Sequence, residues 1–150
     1  MKAYAGIGAR KISASIASRM EELGTNLASK YVLRSGGAFG SDRAFEKGCD
    51  LVEGSKEIYL ANDATAQSIE LAAKFHPAWE QCSRAIRKLM GRNMMIMLGK
   101  NLDDPVEFVV CWTEQGMITG GTGQGLRVAK HYNIPIYNLH HSLYPELDSF

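Results

Sequence analysis

The chain is poor in the features that mark several large classes of protein. It holds only three cysteines, Cys49, Cys82 and Cys111, and no CxxC pair. An odd, widely spaced set excludes a disulfide framework and offers no zinc-ligand spacing. It fits a reducing cytoplasm, with Cys111 a small core residue in an apolar strand. No apolar run is long enough to span a bilayer. The N-terminus enters a short strand directly, without a secretory signal pattern. Neither sign of charge is in excess: 17 Lys and Arg against 16 Asp and Glu leave a net charge of +1. There is thus no general electrostatic case for nucleic acid or a membrane as partner. His140-His141 lacks a partner pattern, and the sequence calls for no metal and no cofactor. There is no internal repeat, low-complexity segment or boundary, so residues 1–150 are expected to form one domain with a sizeable core.

What is present is glycine, placed where apolar strands end. Val109-Val110-Cys111-Trp112-Thr113 is an apolar, β-branched run. Thr119-Gly120-Gly121-Thr122-Gly123-Gln124-Gly125 follows, and Leu126, Val128 and Ala129 then open a helical pattern to Tyr132. Strand, glycine loop and helix in that order expose backbone N–H groups beside a positive helix terminus, which suits an anion. The same order occurs earlier. A strand from Met1 to Ile7 breaks at Gly6-Ile7-Gly8-Ala9-Arg10. Ser13 then caps a helix on which Ile16, Met20, Leu23 and Leu27 recur. This is only part of a dinucleotide fingerprint, because Lys11 holds the place of the third glycine. Arg10 is either a phosphate or carboxylate partner or an exposed arginine. A second strand, Tyr31 to Arg34, ends at Ser35-Gly36-Gly37-Ala38-Phe39-Gly40. Ser41 or Asp42 is expected to cap the next helix, which carries Ala44, Phe45 and Cys49. Asp42 and Glu46, four residues apart, share a face near its start.

Lys56 to Leu60 reads as a third strand, and Ile69, Leu71, Ala72 and Ala73 as a helix stopped by His76-Pro77. Helical periodicity returns from Trp79 to Met97, with a break expected near Gly91. Arg84, Arg87, Lys88 and Arg92 make this stretch the most basic, either a solvated face or a phosphate contact. Met90, Met94, Met95 and Met97 are expected to fill core. Val106 to Trp112 is the fourth strand, apolar enough to be buried on both faces. Ile134 to Leu139 is the fifth, with Pro135 suited to an edge. The tail from His140 to Phe150 is polar and turn-rich, placed either over the body or in assembly contacts.

Strands alternating with helices predict an α/β, Rossmann-like three-layer fold. Its sheet is mostly parallel, of about five strands, with helices on both faces. Ligands of such sheets sit beyond the carboxyl ends of the strands at the switch point. Three glycine turns, Gly6–Arg10, Ser35–Gly40 and Gly120–Gln124, converge on that rim. They predict a site for a phosphorylated, nucleotide-like molecule.

These residues resemble the SLOG superfamily, which joins DprA-like (DNA-processing protein A) and Lonely Guy-like Rossmannoid proteins. The resemblance runs from about Tyr4 to Leu139. Ser35-Gly36-Gly37-Ala38-Phe39-Gly40-Ser41-Asp42-Arg43-Ala44-Phe45-Glu46 looks like the DprA glycine motif, and Gly91-Arg92-Asn93 like its Arg-Asn step. Gly120-Gly121-Thr122-Gly123-Gln124 looks like the Lonely Guy GGxGT loop. Small members of this kind occur in phage genomes, so the resemblance implies a phage origin and a host cytoplasm. It also implies a nucleotide-derived ligand, with Gly121, Thr122, Gly123 and Gln124 on its phosphate, and a homo-oligomer. Lonely Guy enzymes cleave the bond between base and ribose 5′-phosphate. This chain departs from them twice: Gln124 replaces a threonine, and Arg127 replaces a glutamate of the functional pair.

The expected ligand contacts are therefore Gly8, Ala9, Arg10, Ser35, Gly36, Gly37, Asp42, Arg92, Thr113, Gly120, Gly121, Thr122, Gly123, Gln124 and Arg127. Asp42, Glu46 and Glu114 are the carboxylates available for N-glycosidic chemistry. Three readings follow. The first is a nucleotide binder that releases its ligand unchanged. The second is a nucleoside 5′-monophosphate phosphoribohydrolase. The third, disfavoured by the neutral charge, is a DprA-like single-stranded DNA binder that would use Trp79 and the basic helix.

Overall fold

The computed structural model describes residues 1–150. The strands are β1 (Lys2–Gly6), β2 (Tyr31–Ser35), β3 (Lys56–Ile58), β4 (Val109–Cys111) and β5 (Ile136–Asn138). The helices are α1 (Ala14–Leu27), α2 (Ser41–Leu51), α3 (Ala66–Ala73), α4 (Arg84–Leu98) and α5 (Gly120–His131). All five strands form one sheet in the order β3-β2-β1-β4-β5, and every pairing is parallel. This is the expected Rossmann-like three-layer arrangement, with the chain reversing its direction of winding between β1 and β4.

Alternation along the central strands makes the layers. Ala3, Ala5 and Ile7 of the β1 segment, with Val109 and Cys111 of β4, pack against α4 and α5. The intervening Tyr4, with Phe108 and Val110, packs against Met20, Leu23 and Leu27 of α1 and Phe45 of α2. The strand period of two thus feeds two cores at once. All four methionines of the α4 stripe are buried, as core filling requires. α1 and α2 touch backbone to backbone: a Cβ on Gly24 would strike the Phe45 carbonyl, and one on Gly48 the Glu21 carbonyl. Buried Arg34 on β2 ties in the edge strand, donating to Glu57 at 2.7 Å and to Asp104 at 2.7 Å.

Ser13, Thr65 and Ser83 cap α1, α3 and α4 through their side chains. α2 differs from expectation, because neither Ser41 nor Asp42 is its cap. Gly40 is, at φ 77°, and a Cβ there would strike the Arg10 carbonyl. Only glycine accommodates both the dihedral and the contact. Ser41 is inside the helix and donates its hydroxyl to the Ala9 carbonyl at 2.8 Å. α4 also departs from the periodicity. It begins at Arg84, after a separate short turn at Trp79–Gln81, and passes Gly91 without a break. Gly91 exists for packing, since a Cβ would lie 2.7 Å from Ile69 Cγ1 of α3.

The largest correction concerns the central glycine run. It is not a loop: residues 120–131 are all helical, and the connection after β4 is Trp112–Thr119. Glycine costs about 1 kcal/mol relative to alanine inside a helix, so packing must offset it. Gly123 abuts the Ile118 backbone, where a Cβ would come within 2.7 Å of its carbonyl carbon. Gly125 lets α5 approach Met97 Cε and Ile7 Cδ1, with Cβ contacts of 3.2 and 3.3 Å.

The C-terminal tail drapes over the α1 face. Leu147 is fully buried there, and Phe150 packs edge-on to Phe108 at 5.3 Å. Arg19 of α1 clamps the tail by donating to the carbonyls of Leu143 and Tyr144 and to Asp148. No helix is long and apolar enough to cross a membrane.

Candidate functional site

A cleft of about 920 Å³ opens at the carboxyl ends of β1 and β4. Its floor is the turn after β1, where Gly8, Ala9 and Arg10 lie. One wall is the first turn of α2 with Asp42. The other is the start of α5 with Gly120, Gly121 and Thr122. Thr113 and Glu114 follow β4 into the same space, and Arg92 enters from α4. The topology explains this meeting: at the switch point the loops after β1 and β4 run to opposite faces and leave a crevice between them.

Arg92 is the anchor. It is 9% exposed, and burial lowers its guanidinium from the usual arginine range; Asp42 raises it again, and Arg10 lowers it further. Nη1 donates to the Gly36 carbonyl at 2.8 Å and to the Tyr59 carbonyl at 2.9 Å. Nε donates to Asn93 Oδ1 at 3.0 Å, and Asn93 Nδ2 donates to the Gly121 carbonyl at 3.2 Å. One relay therefore connects the β2 loop, α4 and the N-terminus of α5. Nη2 has no hydrogen-bond partner in the protein.

Asp42 stands across from it. It is 6% exposed, and burial pushes its carboxyl up to about 6, while the Ala38 amide and the Arg92 charge both pull it down. Oδ2 accepts the Ala38 amide at 3.2 Å. Gly36 lies between the two charges: a Cβ there would be 2.5 Å from Arg92 Nη1 and 2.9 Å from Asp42 Oδ2. Arg10 is exposed and lines the cleft, so the region carries more positive than negative charge close to Arg92.

The start of α5 adds backbone donors. Gly123 is the first residue whose amide is bonded within the helix, to the Thr119 carbonyl at 2.9 Å. The amides of Gly120, Gly121 and Thr122 precede it and have no helical acceptor. Gly120 needs its φ of 65°. Gly121 needs neither space nor special dihedral: the nearest atoms to a Cβ would be Asn93 Nδ2 and Met90 Cε at 3.8 Å. Its missing side chain serves nothing inside the protein, and it leaves the helix terminus open to the cleft.

The cleft is also lined by apolar Ile86, Leu89, Met90 and Ile118 and by His76, Pro77 and Ala78, and Met90 brings this apolar part next to Gly121. His76 Nδ1 accepts the Ala78 amide at 3.0 Å, which fixes this corner. Cys82 Sγ lies 3.7 Å from both ring nitrogens of His76. Arg87 is spent locally: it lies over the Trp79 ring at 5.0 Å and donates to the Trp79 carbonyl at 3.0 Å.

Several expected contacts lie elsewhere. Ser35, Gly36 and Gly37 do not border the cleft. Ser35 is buried and donates its hydroxyl to the Gly6 carbonyl at 2.6 Å. Gly36 supports the site only through Arg92, and Gly37 faces a separate groove. Glu46 is on that groove too, paired with Lys56 at 2.8 Å, so its shared face with Asp42 does not bring both into one site. Gly123 and Gln124 turn inward. Gln124 is fully buried, donating to the Ala72 carbonyl at 3.1 Å and accepting from Arg127 at 2.8 Å. Arg127 borders the cleft but is also tied to the Phe75 carbonyl at 3.0 Å. Asn93 was missed as a site residue, and its only signal was its place beside Arg92 in the Gly91-Arg92-Asn93 step. No cluster of three or more His, Cys, Asp or Glu side chains is arranged to hold a metal ion.

No family model, curated protein or solved structure matches this chain.

Proposed function

We propose that the cleft binds a nucleotide or nucleotide-derived phosphorylated small molecule, and that the chain is a SLOG-type, DprA-like or Lonely Guy-like protein. The observation that carries this reading is the exposed, unpacked Gly121 at the open start of α5, one side chain away from the buried Arg92. A helix terminus and a guanidinium with an unused nitrogen together favour a dianionic group. The apolar wall beside it suits a flat base. The phosphate held by Gly121 and Thr122 would be reached from α5's N-terminal amides rather than from a loop.

The test is a graded series at one position. Gly121→Ala should leave the fold intact, with a melting temperature no lower than that of the parent, because alanine is the better helix former. Gly121→Trp fills the space over the amides. Stabilisation by nucleoside 5′-phosphates should weaken in the first variant and vanish in the second. Undiminished nucleotide binding in Gly121→Trp would exclude α5 as the phosphate site.

A second reading, N-glycosidic cleavage of a nucleoside monophosphate, is favoured by Asp42. A carboxyl held at about 6 inside the cleft is poised to exchange a proton near neutral pH. Glu114, exposed at the mouth, would be its partner; Glu46 would not take part. Release of free base on incubation separates the enzyme from the binder. Self-association belongs to the same proposal. Exposed Leu51 and Leu60 border a groove beside the edge strand β3, and light scattering on a sizing column gives the mass directly.

A further inference from the structure

We infer that Arg127 is a second anion contact in the cleft, so that the preferred ligand carries two phosphoryl groups rather than one. The inference rests on the phosphate reading above and narrows the class of ligand within it. Its starting point is a guanidinium without a counter-charge. Arg127 is half-buried and borders the cleft. Its two partners are neutral: Nε donates to the Phe75 carbonyl at 3.0 Å and Nη2 to Gln124 Oε1 at 2.8 Å. No carboxylate of the protein pairs with it. Burial lowers its guanidinium from the usual arginine range, and no neighbouring charge offsets that. The other arginines withdrawn from solvent are compensated: Arg19 by Asp148, Arg34 by Glu57 and Asp104, Arg87 by Glu80, and Arg92 by the charge of Asp42.

The geometry holds this guanidinium ready. Gln124 is fully buried and fixed to the Ala72 carbonyl at 3.1 Å, so the core sets the direction of the fork. The remaining nitrogen, Nη1, has no partner in the protein and is not sealed from solvent. An arginine fixed along one edge, with a nitrogen to spare, has little side-chain freedom left to lose when an anion binds. This position is separate from the start of α5. Six residues of helical rise put the Arg127 backbone about 9 Å along α5 from Gly121. Gly121 faces Asn93 and Met90 of α4, whereas Arg127 is tied to the segment that follows α3. A single phosphate held by Arg92 and the α5 amides therefore leaves Arg127 without a counter-charge. A second phosphoryl group on the same ligand supplies it, and a cleft of about 920 Å³ has room for both. One charge-assisted contact of this kind favours the doubly phosphorylated ligand by about tenfold or more.

The experiment measures dissociation constants by calorimetry for the common ribonucleosides as 5′-monophosphates, 5′-diphosphates and 3′,5′-bisphosphates, with inorganic phosphate as reference. The expected result is that at least one doubly phosphorylated form binds about tenfold or more tightly than its monophosphate. Arg127→Gln removes the charge and keeps an amide donor for Phe75 or Gln124. In that variant the ratio should fall to within about twofold, with monophosphate affinity unchanged. An arginine that served only to hold the Phe75 carbonyl would leave the ratio as it is, whatever its effect on stability. If the glutamine variant does not fold, Arg127→Lys keeps the charge without the fork and should still lower the ratio at least about threefold. Equal affinity for singly and doubly phosphorylated forms, or a ratio that survives the substitution, overturns the inference while leaving the phosphate site standing. Loss of monophosphate affinity by the same factor also overturns it, because Arg127 would then serve the first phosphate. Absence of binding by every nucleotide and by phosphate overturns the phosphate reading and this inference together.

Discussion

Replacing Asp42 by asparagine should stabilise the unliganded protein at pH 8 and change little at pH 4. Asp42 is 6% exposed, and burial raises its carboxyl to about 6 despite the Ala38 amide and the Arg92 charge. A carboxyl that holds its proton more tightly folded than unfolded contributes stability that is complete below its ordinary value, near 4. That contribution is lost as the pH rises through about 6. The gap corresponds to roughly 3 kcal/mol at 1.36 kcal/mol per pH unit. Asparagine resembles the protonated form, and its oxygen can still accept the Ala38 amide, so the variant keeps that contribution at every pH. For a chain of this length about 3 kcal/mol moves the melting temperature by roughly 6–12 °C. Thermal melts of parent and Asp42→Asn between pH 4 and 8 supply the assay. The two curves should coincide near pH 4, separate between about pH 4 and 6, and keep a constant separation above that. A constant difference across the range, or a less stable variant at pH 8, would refute the argument that burial of this charge is what costs stability.

Three further outcomes follow from the packing. Arg92→Met leaves the Gly36 and Tyr59 carbonyls without their donor and Asp42 without a nearby cation. It should cost about 2–4 kcal/mol in urea unfolding and abolish stabilisation by inorganic phosphate. Gly48→Ala drives a methyl group into the Glu21 carbonyl; separation of α1 from α2 should cost about 1–3 kcal/mol, measured as a lower denaturation midpoint. Leu147→Ala opens a cavity under a tail that looks peripheral in sequence. Because Leu147 is fully buried, a loss of about 2–5 kcal/mol is expected, and a change under 1 kcal/mol would show that the tail is not part of the cooperative fold.

The sheet and its helices were legible because their signals are periodic. Ala3, Ala5 and Ile7 against Tyr4, and Met20, Leu23 and Leu27 at helical spacing, assign the strands and helices to their layers. The glycine run misled for a physical reason. Its low helix propensity reads as a loop, yet Gly123 and Gly125 are held helical by the contacts that only a missing side chain permits. That shift moved Gln124 from the expected phosphate loop into the core against α3. Glu46 failed for a similar reason. Spacing puts it on the Asp42 side of α2, but it is drawn off by Lys56 on β3, a pairing across the fold. Arg92 and Asp42 were both legible as charged residues near glycine turns. Their burial around Gly36 was not, because it depends on how closely the β2 loop and α4 approach.

The most direct test of the central claim is a thermal-shift screen of nucleoside 5′-phosphates, cyclic nucleotides and nucleotide-sugar fragments, with every hit checked by chromatography for released base. The account predicts a concentration-dependent rise in melting temperature for at least one phosphorylated ligand, following mass action. The rise should be present in the parent and absent in Gly121→Trp. A hit recovered intact supports the binder, and one converted to base and ribose phosphate supports the hydrolase. No shift with any phosphorylated ligand, or the same shift in Gly121→Trp, would contradict the claim that the cleft at the start of α5 is a phosphate site.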